Sequence, residues 1–146
     1  MSEINVLYPF DNNYAPFAGI SMTSLLENNR DAGCIRIYVL GFDLSDDNIE
    51  RLRATAGKYN REIIFIDPKP VEEFIKTLDM PSYRGAVVAV ARLLVTRFIP
   101  DTVRRLLYLD SDTVITGNLG GLIDADLGGK PVGMVCDSVA GDYKKI

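Results

Sequence analysis

The chain has 146 residues, of which 47% are hydrophobic, and its 16 Lys and Arg against 20 Asp and Glu give a net charge of −4. This length suffices for the core of one domain, residues 1–146, and the acidic balance argues against nucleic acid as a partner, because phosphate binding needs many cations. The chain contains no histidine, which excludes a Ser-His-Asp triad, a Cys-His dyad and an imidazole metal ligand within this polypeptide.

Five short apolar runs predict the strands of a sheet. They are rich in Ile, Val, Leu and Tyr, and most lack the alternation that is typical of a half-exposed strand. Such runs indicate parallel strands that are covered on both faces. They occupy residues 4–8, 34–40, 63–66, 106–109 and 132–136.

Helical patterns separate the first three runs. Between the first and second, Ala18, Met22 and Leu25 recur at helical spacing, and the pattern ends before Gly33. Between the second and third, Ser45 can cap a helix whose first turn is acidic, which the positive end of the helix dipole favours. The predicted order is β-α-β-α-β.

Two further helices complete the pattern. One is predicted over residues 71–78 and ends before Pro81, because proline disfavours helical geometry in the preceding residue. Residues 85–98 are rich in valine, which favours strand, but their length favours a helix, and we predict a buried one. The alternation predicts an α/β fold with an open, mostly parallel sheet flanked by helices and a ligand site at the carboxyl ends of the strands.

Composition also predicts where the protein resides. Cys34 and Cys136 lie far apart in separate apolar runs, so we interpret both as small buried hydrophobic residues and expect a reducing cytoplasm. No secretory signal is apparent at the N-terminus. The segment 85–99 is interrupted by Arg92 and Arg97, and no run reaches the roughly 20 apolar residues that span a bilayer.

The fourth apolar run leads directly into two carboxylates, Asp110 and Asp112, with Ser111 between them. On a regular strand these side chains share a face, and they reach one cation only by leaning together or through a local turn. A divalent metal would remove their mutual repulsion and bridge a diphosphate. The alternative is a surface turn without a ligand, since Asp and Ser favour turn geometry; the preceding apolar strand favours the site.

A second polar cluster, Asp11, Asn12, Asn13 and Tyr14, follows the first strand where the next helix begins. An Asp or Asn of this cluster can cap that helix, which would account for Asn12 or Asn13 without a ligand. The same groups offer hydrogen bonds and a stacking surface to a nucleoside, and capping and binding are compatible. For Tyr14 alone, packing at the helix start is the favoured interpretation.

Arg92 is the only charge between Arg84 and Arg97 in an otherwise apolar segment. Together with Gly85, Ala89 and Thr96 it forms a stripe of small or polar residues at helical spacing. Its guanidinium suits a phosphate or carboxylate, because the planar fork donates hydrogen bonds in pairs. An internal salt bridge, or a stem along the core with its head in water, is equally compatible with the sequence.

Four stretches resemble the family 8 glycosyltransferases, the group of the bacterial lipopolysaccharide galactosyl- and glucosyltransferases and the glycogenins. They follow the order of that family and span nearly the whole chain: PFDNNYAPFAGISMTSLLENN, IRIYVLGFDLSDDNIERL, ARLLVTRFIPDTVRRLLYLDSDTVITGNLGGLIDADLGG and KPVGMVCD. The resemblance implies a Rossmann-like GT-A fold and a UDP-sugar donor, UDP-glucose or UDP-galactose. It also implies Mn or Mg, a glycan or lipopolysaccharide-core acceptor, and transfer with retention.

The resemblance also implies roles for individual residues. Asp11 and Asn13 would bond the uracil and ribose, and Tyr14 would stack on the base. Asp110 and Asp112 would ligate the metal, Ser111 would contact the ribose region, and Arg92 would hold the diphosphate or sugar. The implied catalytic residues are Arg92, Asp110 and Asp112.

The chain departs from the family in two places. Asn12 stands where a second acid is more frequent. Members of the family also continue into a second half with a metal-binding histidine and most of the acceptor site, so we expect this chain to be an N-terminal portion. Two protein ligands, completed by phosphate and water, suit Mg better than Mn. We expect the run 132–136 to leave an uncovered apolar edge through which chains self-associate.

Two other functions are compatible with the residues. The chain could bind UDP and metal without transferring a sugar, or act as a subunit that another chain completes. The stretch from Asp110 to Val114 also matches the nucleophile motif of haloacid-dehalogenase phosphatases. That motif normally opens its domain, whereas only 34 residues (146 − 112) follow Asp112 here.

Overall fold

A computed structural model of the protein describes residues 3–77, 88 and 92–135. Four strands form one sheet in the order β3-β2-β1-β4, and each pairing among these strands is parallel. The strands are β1 (Glu3–Asp11), β2 (Cys34–Phe42), β3 (Glu62–Ile66) and β4 (Leu107–Tyr108). The predicted parallel α/β sheet is confirmed.

The helices connect these strands as the sequence predicts. They are α1 (Ala15–Asn28), α2 (Asp46–Gly57), α3 (Lys69–Lys76) and the short α4 (Gly120–Ile123), with 3-10 helices at Asn12–Tyr14 and Arg92–Arg97. The predicted cap of α2 is confirmed, because the Ser45 side chain accepts a hydrogen bond from the Asn48 amide at 3.3 Å. None of the helices in the described part of the chain is long and apolar enough to cross a membrane.

Apolar side chains cover both faces of the sheet, which explains the near-continuous apolar runs. One face of β1 and β2 packs against α1, α2 and the segment that leads into α4, around Tyr8, Met22 and Leu25. The opposite face packs against α3 and the second 3-10 helix, around Leu7, Val71 and Leu94. Because β1 lies between β2 and β4, its side chains are the most completely buried of the sheet.

Two strand predictions need correction. The fifth strand is wrong for residues 132–135, which form no strand; Pro131 and Gly133 disfavour one, and the Val135 side chain is 95% exposed. The fourth strand is shorter than predicted, because only Leu107 and Tyr108 pair with β1 before the chain turns. Cys136 lies outside the described residues, so its burial stays a prediction.

Other predictions are corrected in extent. The third helix is Lys69–Lys76, and Leu78 lies outside the described residues. Of the helix predicted at 85–98, residues 92–97 form a 3-10 helix in which Leu94 is buried and Leu93 is exposed. Most of the remainder, including Gly85 and Ala89, lies outside the described residues. Cys34 is half-buried instead of buried, because it begins β2 at the margin of the sheet.

Candidate functional site

The chain leaves β1 at a corner that Asp11 caps. The Asp11 Oδ1 atom accepts hydrogen bonds from the amides of Asn13 at 2.9 Å and Tyr14 at 3.3 Å. These amides belong to the short 3-10 helix that precedes α1, and a helix start leaves such donors without backbone partners. The cap is therefore Asp11, which confirms the prediction that an Asp or Asn of this cluster caps the helix start; neither Asn12 nor Asn13 is the cap.

Asn12 ties this corner to the start of α2. Its Oδ1 atom accepts hydrogen bonds from the Ser45 amide and from the Asn48 side chain, both at 2.9 Å. Asn13 and Tyr14 are both exposed. The Tyr14 ring contacts Phe17 with centroids 5.7 Å apart, yet 48% of Tyr14 remains exposed. Packing at the helix start therefore accounts for only part of the Tyr14 side chain.

A turn follows β4 and carries the Asp-x-Asp pair. The Thr113 amide donates to the Asp110 carbonyl at 3.2 Å, and the Thr113 hydroxyl donates to the same oxygen at 2.7 Å. Such a turn brings the Cα atoms of its first and fourth residues within about 7 Å, so the chain after β4 leaves the extended form of a strand at Asp110.

The carboxylates themselves take no part in closing this turn. Asp110 and Asp112 are exposed, and with the described residues neither side chain forms a hydrogen bond or an ion pair. The hydrogen bonds that close the turn thus involve the Asp110 carbonyl and Thr113, and they do not require the two carboxylates. Ser111 is only 6% exposed, so its contact with a ribose stays a prediction.

The sheet order brings the corner and the turn to the same edge. β1 and β4 pair in parallel with Leu7 opposite Tyr108, and the Leu109 amide donates to the Leu7 carbonyl at 3.0 Å. Asp11 and Asp110 therefore follow the carboxyl ends of adjacent strands, which lie about 4.8 Å apart in such sheets. β2 and β3 are added on one side of β1, and β4 is added on its other side. Ligands of open α/β sheets bind at such a switch point, which here lies between β1 and β4.

The donor set of the turn fits a hard divalent cation in part. Carboxylate oxygens are the ligands that Mg²⁺ and Mn²⁺ prefer. Among the described residues, no three His, Cys, Asp or Glu side chains are grouped closely enough to hold a metal. Asp110 and Asp112 would therefore supply two ligands, with water and phosphate completing the shell, which is a usual arrangement for Mg²⁺.

Arg92 is the remaining predicted site residue. It begins the second 3-10 helix, and the stripe that it was predicted to form keeps only Thr96 within the described residues. The interactions of the Arg92 side chain lie outside what the structure describes. Its role toward a phosphate or sugar stays a prediction, as does the alternative of an internal salt bridge.

The sequence patterns above did not identify the hydroxyl groups of Ser21 and Tyr8, which are linked to the turn through Thr113. Ser21 of α1 lies 3.2 Å from the Thr113 hydroxyl and 3.0 Å from the phenol oxygen of Tyr8, and both Ser21 and Tyr8 are fully buried. A buried serine on the apolar face of a helix is the signal that could have revealed this link, since a buried hydroxyl needs a partner.

We expect the Tyr8 phenol to reduce stability at alkaline pH. Burial raises the pKa of Tyr8 from 10.0 to about 12, and the hydrogen bond with Ser21 opposes that rise. Because the folded pKa lies above the unfolded one, this contribution is fully present below pH 10 and is lost as pH rises toward 12. The loss amounts to about 2 kcal/mol at pH 11.5, at 1.36 kcal/mol per unit.

Urea unfolding at pH 9 and pH 11.5 measures this loss, with Tyr8→Phe as the matched variant. The variant lacks the titrating group and should lose about 2 kcal/mol less than the wild type over the same interval. Equal losses in the two proteins would contradict the assignment to Tyr8.

Comparisons with known proteins show relatives of this chain in both sequence and fold. The sequence profile of glycosyl transferase family 8 matches residues 5–145. A lipopolysaccharide 1,2-glucosyltransferase of Escherichia coli is 32% identical over 82% of this chain and 34% of its own length. A lipopolysaccharide 1,3-galactosyltransferase of Salmonella typhimurium is 31% identical over 84% of this chain and 35% of its own.

A solved structure extends the likeness to the fold. The galactosyltransferase LgtC, crystallised with donor and acceptor sugar analogues, superposes with a TM-score of 0.70 at 28% identity. The alignment covers 86% of this chain and 44% of LgtC. The chain thus spans about a third of the curated relatives and less than half of the solved structure.

Proposed function

This chain belongs to glycosyl transferase family 8 and has the GT-A fold, and from that premise we propose that it is the donor-binding part of a retaining glycosyltransferase. The donor is a UDP-sugar, UDP-glucose or UDP-galactose. The whole enzyme transfers the hexose to a glycan or lipopolysaccharide-core acceptor in the cytoplasm. The names of the two lipopolysaccharide glycosyltransferases above support the acceptor class.

One observation carries the proposal. Two exposed carboxylates without hydrogen bonds to the described residues follow β4, directly beside the corner where Asn13 and the half-exposed Tyr14 follow β1. A nucleoside diphosphate needs both parts, a polar and aromatic corner for the base and a cation site for the phosphates. The strand order supports the proposal, because it puts these groups at the ends of neighbouring strands.

The corner is assigned to the nucleoside. Asp11 uses Oδ1 for its cap, which leaves Oδ2 for a ligand N–H or hydroxyl, and Asn13 offers an amide with both donors and an acceptor. Tyr14 provides the stacking surface for the uracil. Ser111 is assigned to the ribose region through the backbone of the turn, because its side chain is buried.

The turn is assigned to the diphosphate. Asp110 and Asp112 would hold Mg²⁺ or Mn²⁺, and when bound the ion neutralises charge on the leaving diphosphate. Arg92 is assigned to the diphosphate or the sugar, where a guanidinium stabilises developing negative charge. Because residues 132–135 form no strand, the predicted self-association is assigned to an exposed apolar surface and not to a sheet edge, through Val132, Met134 and Val135.

We expect Tyr14→Ala to weaken UDP binding about tenfold. Stacking of a base on an aromatic side chain is worth about 1–3 kcal/mol by alanine substitution. About half of Tyr14 is exposed, so the substitution removes little packing within the protein. Tyr14→Phe keeps the ring and should bind UDP within about twofold of the wild type. Calorimetric titration of the full chain with UDP in the presence of Mn²⁺ measures both variants.

Phe17→Ala separates stacking from packing, because Phe17 contacts Tyr14 and is itself 51% exposed. It should leave UDP affinity nearly unchanged. Unchanged binding in Tyr14→Ala would remove Tyr14 from the site.

Assays of the full chain distinguish the three candidate activities. Transfer or hydrolysis of a UDP-hexose supports the proposed enzyme, whereas UDP binding without either indicates a non-catalytic donor-binding protein. Release of phosphate from phosphorylated sugars without UDP binding would instead indicate the phosphatase chemistry of the Asp110–Val114 motif.

A further inference from the structure

Helix α1 carries a polar stripe on the side that faces the chain after the Asp-x-Asp turn. Its members within the helix recur at spacings of three and four residues, which places them along one side, and the residue after the helix extends the stripe. We define the polar stripe of α1 and its extension as Ser21, Ser24, Asn28 and Asn29. Ser21 and Asn29 are almost fully buried.

The stripe binds the backbone of residues 113–119, a segment that lies in no strand or helix. The Ile115 amide donates to Ser24 Oγ at 2.9 Å, and the Ile115 carbonyl accepts from Asn28 Nδ2 at 2.9 Å. Asn29 Oδ1 accepts from the Leu119 amide at 2.7 Å. Side chains of α1 therefore satisfy backbone groups that would otherwise be costly to bury, since Ile115 is itself in the core.

The first bond of this series reaches the turn itself. The Thr113 hydroxyl bridges the Asp110 carbonyl at 2.7 Å and Ser21 Oγ at 3.2 Å, and Ser21 Oγ lies 3.0 Å from the Tyr8 phenol. A chain of hydroxyls thus joins the centre of β1 to the turn that carries Asp110 and Asp112. Asp110 and Asp112 are the exposed residues of this turn, and two carboxylates repel each other when no cation lies between them.

We propose that Ser21 and Thr113 are positioning residues that hold the Asp110–Thr113 turn with both carboxylates ready to bind the divalent cation of the donor complex. The stripe residues Ser24, Asn28 and Asn29 fix the following segment, so that the turn is held from both sides. This inference rests on the proposed function and assigns a task to residues that touch neither metal nor donor.

The test compares Thr113→Val with Thr113→Ser. Valine keeps the shape of threonine and removes the hydroxyl, whereas serine keeps the hydroxyl. One hydrogen bond is worth about 0.5–1.5 kcal/mol, so Thr113→Val and Ser21→Ala should each weaken Mn²⁺-dependent UDP binding by about 2–13-fold. Thr113→Ser should restore binding to within about twofold, and UDP binding in EDTA should not change in any variant.

A second measurement needs neither metal nor donor. Hydrogen exchange of the amides at 110–115 in the free protein should rise several-fold in Thr113→Val and Ser21→Ala and stay near the wild-type rate in Thr113→Ser. Thr55→Val is the matched control, because the exposed Thr55 hydroxyl donates to the Arg51 carbonyl within α2 at 2.9 Å, away from the turn. It should alter neither binding nor exchange at the turn.

The outcomes separate this inference from the proposed function. Wild-type Mn²⁺–UDP binding by both Thr113→Val and Ser21→Ala overturns the positioning role, and so does equal loss in Thr113→Ser and Thr113→Val. If the wild type itself binds no UDP with Mn²⁺, the proposed function fails, and unchanged exchange at 110–115 then also overturns the anchoring. If Thr113→Val does not fold, Ser21→Ala decides, since it removes one oxygen from an otherwise unchanged helix.

Discussion

Replacing Asp110 by Asn is expected to weaken Mn²⁺-dependent binding of UDP by at least about 100-fold. Loss of an outer-shell partner already costs about 10–100-fold at metal sites, and here one of two proposed direct ligands loses its charge. The amide has the size of the carboxylate, and the turn is closed by the Asp110 carbonyl and not by its side chain. The fold should therefore survive with an unchanged melting temperature.

Calorimetry in Mn²⁺ and in EDTA measures the two components of this binding separately. Asp112→Asn should behave as Asp110→Asn does. Asp126→Asn is the control and should bind normally, because Asp126 is exposed and, among the described residues, accepts from the Gly128 amide at 2.8 Å. Wild-type affinity in both turn variants would mean that the pair is a surface turn without a ligand. Equal loss in Mn²⁺ and EDTA would mean that the carboxylates act without a cation.

Leu25→Ala is expected to lower the free energy of unfolding by about 3 kcal/mol. Leu25 is fully buried on the face of α1 that packs against β1, and deleting a buried leucine side chain costs about 2–5 kcal/mol through lost burial and the cavity that remains. Urea unfolding of the two proteins at neutral pH measures the difference. The effect should fall on stability, with Mn²⁺–UDP affinity nearly unchanged in the folded variant.

Phe17→Ala is the control for this prediction, because Phe17 lies on the same helix and half of it is exposed. It should cost less than about 1 kcal/mol, since little apolar area leaves the core. A loss below 1 kcal/mol in Leu25→Ala would contradict the packing of α1 against the sheet.

The strands that could be predicted are those whose burial the sequence itself encodes. β1, β2 and β3 lie under helices on both faces, so their apolar runs need no knowledge of the tertiary structure. The run at 132–136 has a similar composition, but whether such a run pairs depends on a partner strand, and composition does not specify one. Ser45 was predictable as a cap because capping is a contact within four residues.

The candidate site was predictable as residue types and not as an arrangement. Asp11 and Asp110 each follow an apolar run, which indicates two strand ends but not that these strands are neighbours. Their adjacency comes from the strand order, in which β4 pairs with β1 and not with β3. The sequence also did not reveal which residue of the corner has a structural role. Asn12 accepts hydrogen bonds from Ser45 and Asn48 at the start of α2, which lies more than 30 positions away in the sequence.

The polar stripe of α1 has a consequence for the order in which the chain assembles. Its bonds to residues 113–119 join groups 87 to 92 positions apart in sequence, so they close long loops whose entropy must be offset first by other contacts. Helix α1 and the first three strands are complete before residue 67 has been synthesised. We therefore expect the turn at Asp110 to be fixed later in folding than the contacts among α1 and the first three strands, so that donor binding would require the native state of the described domain.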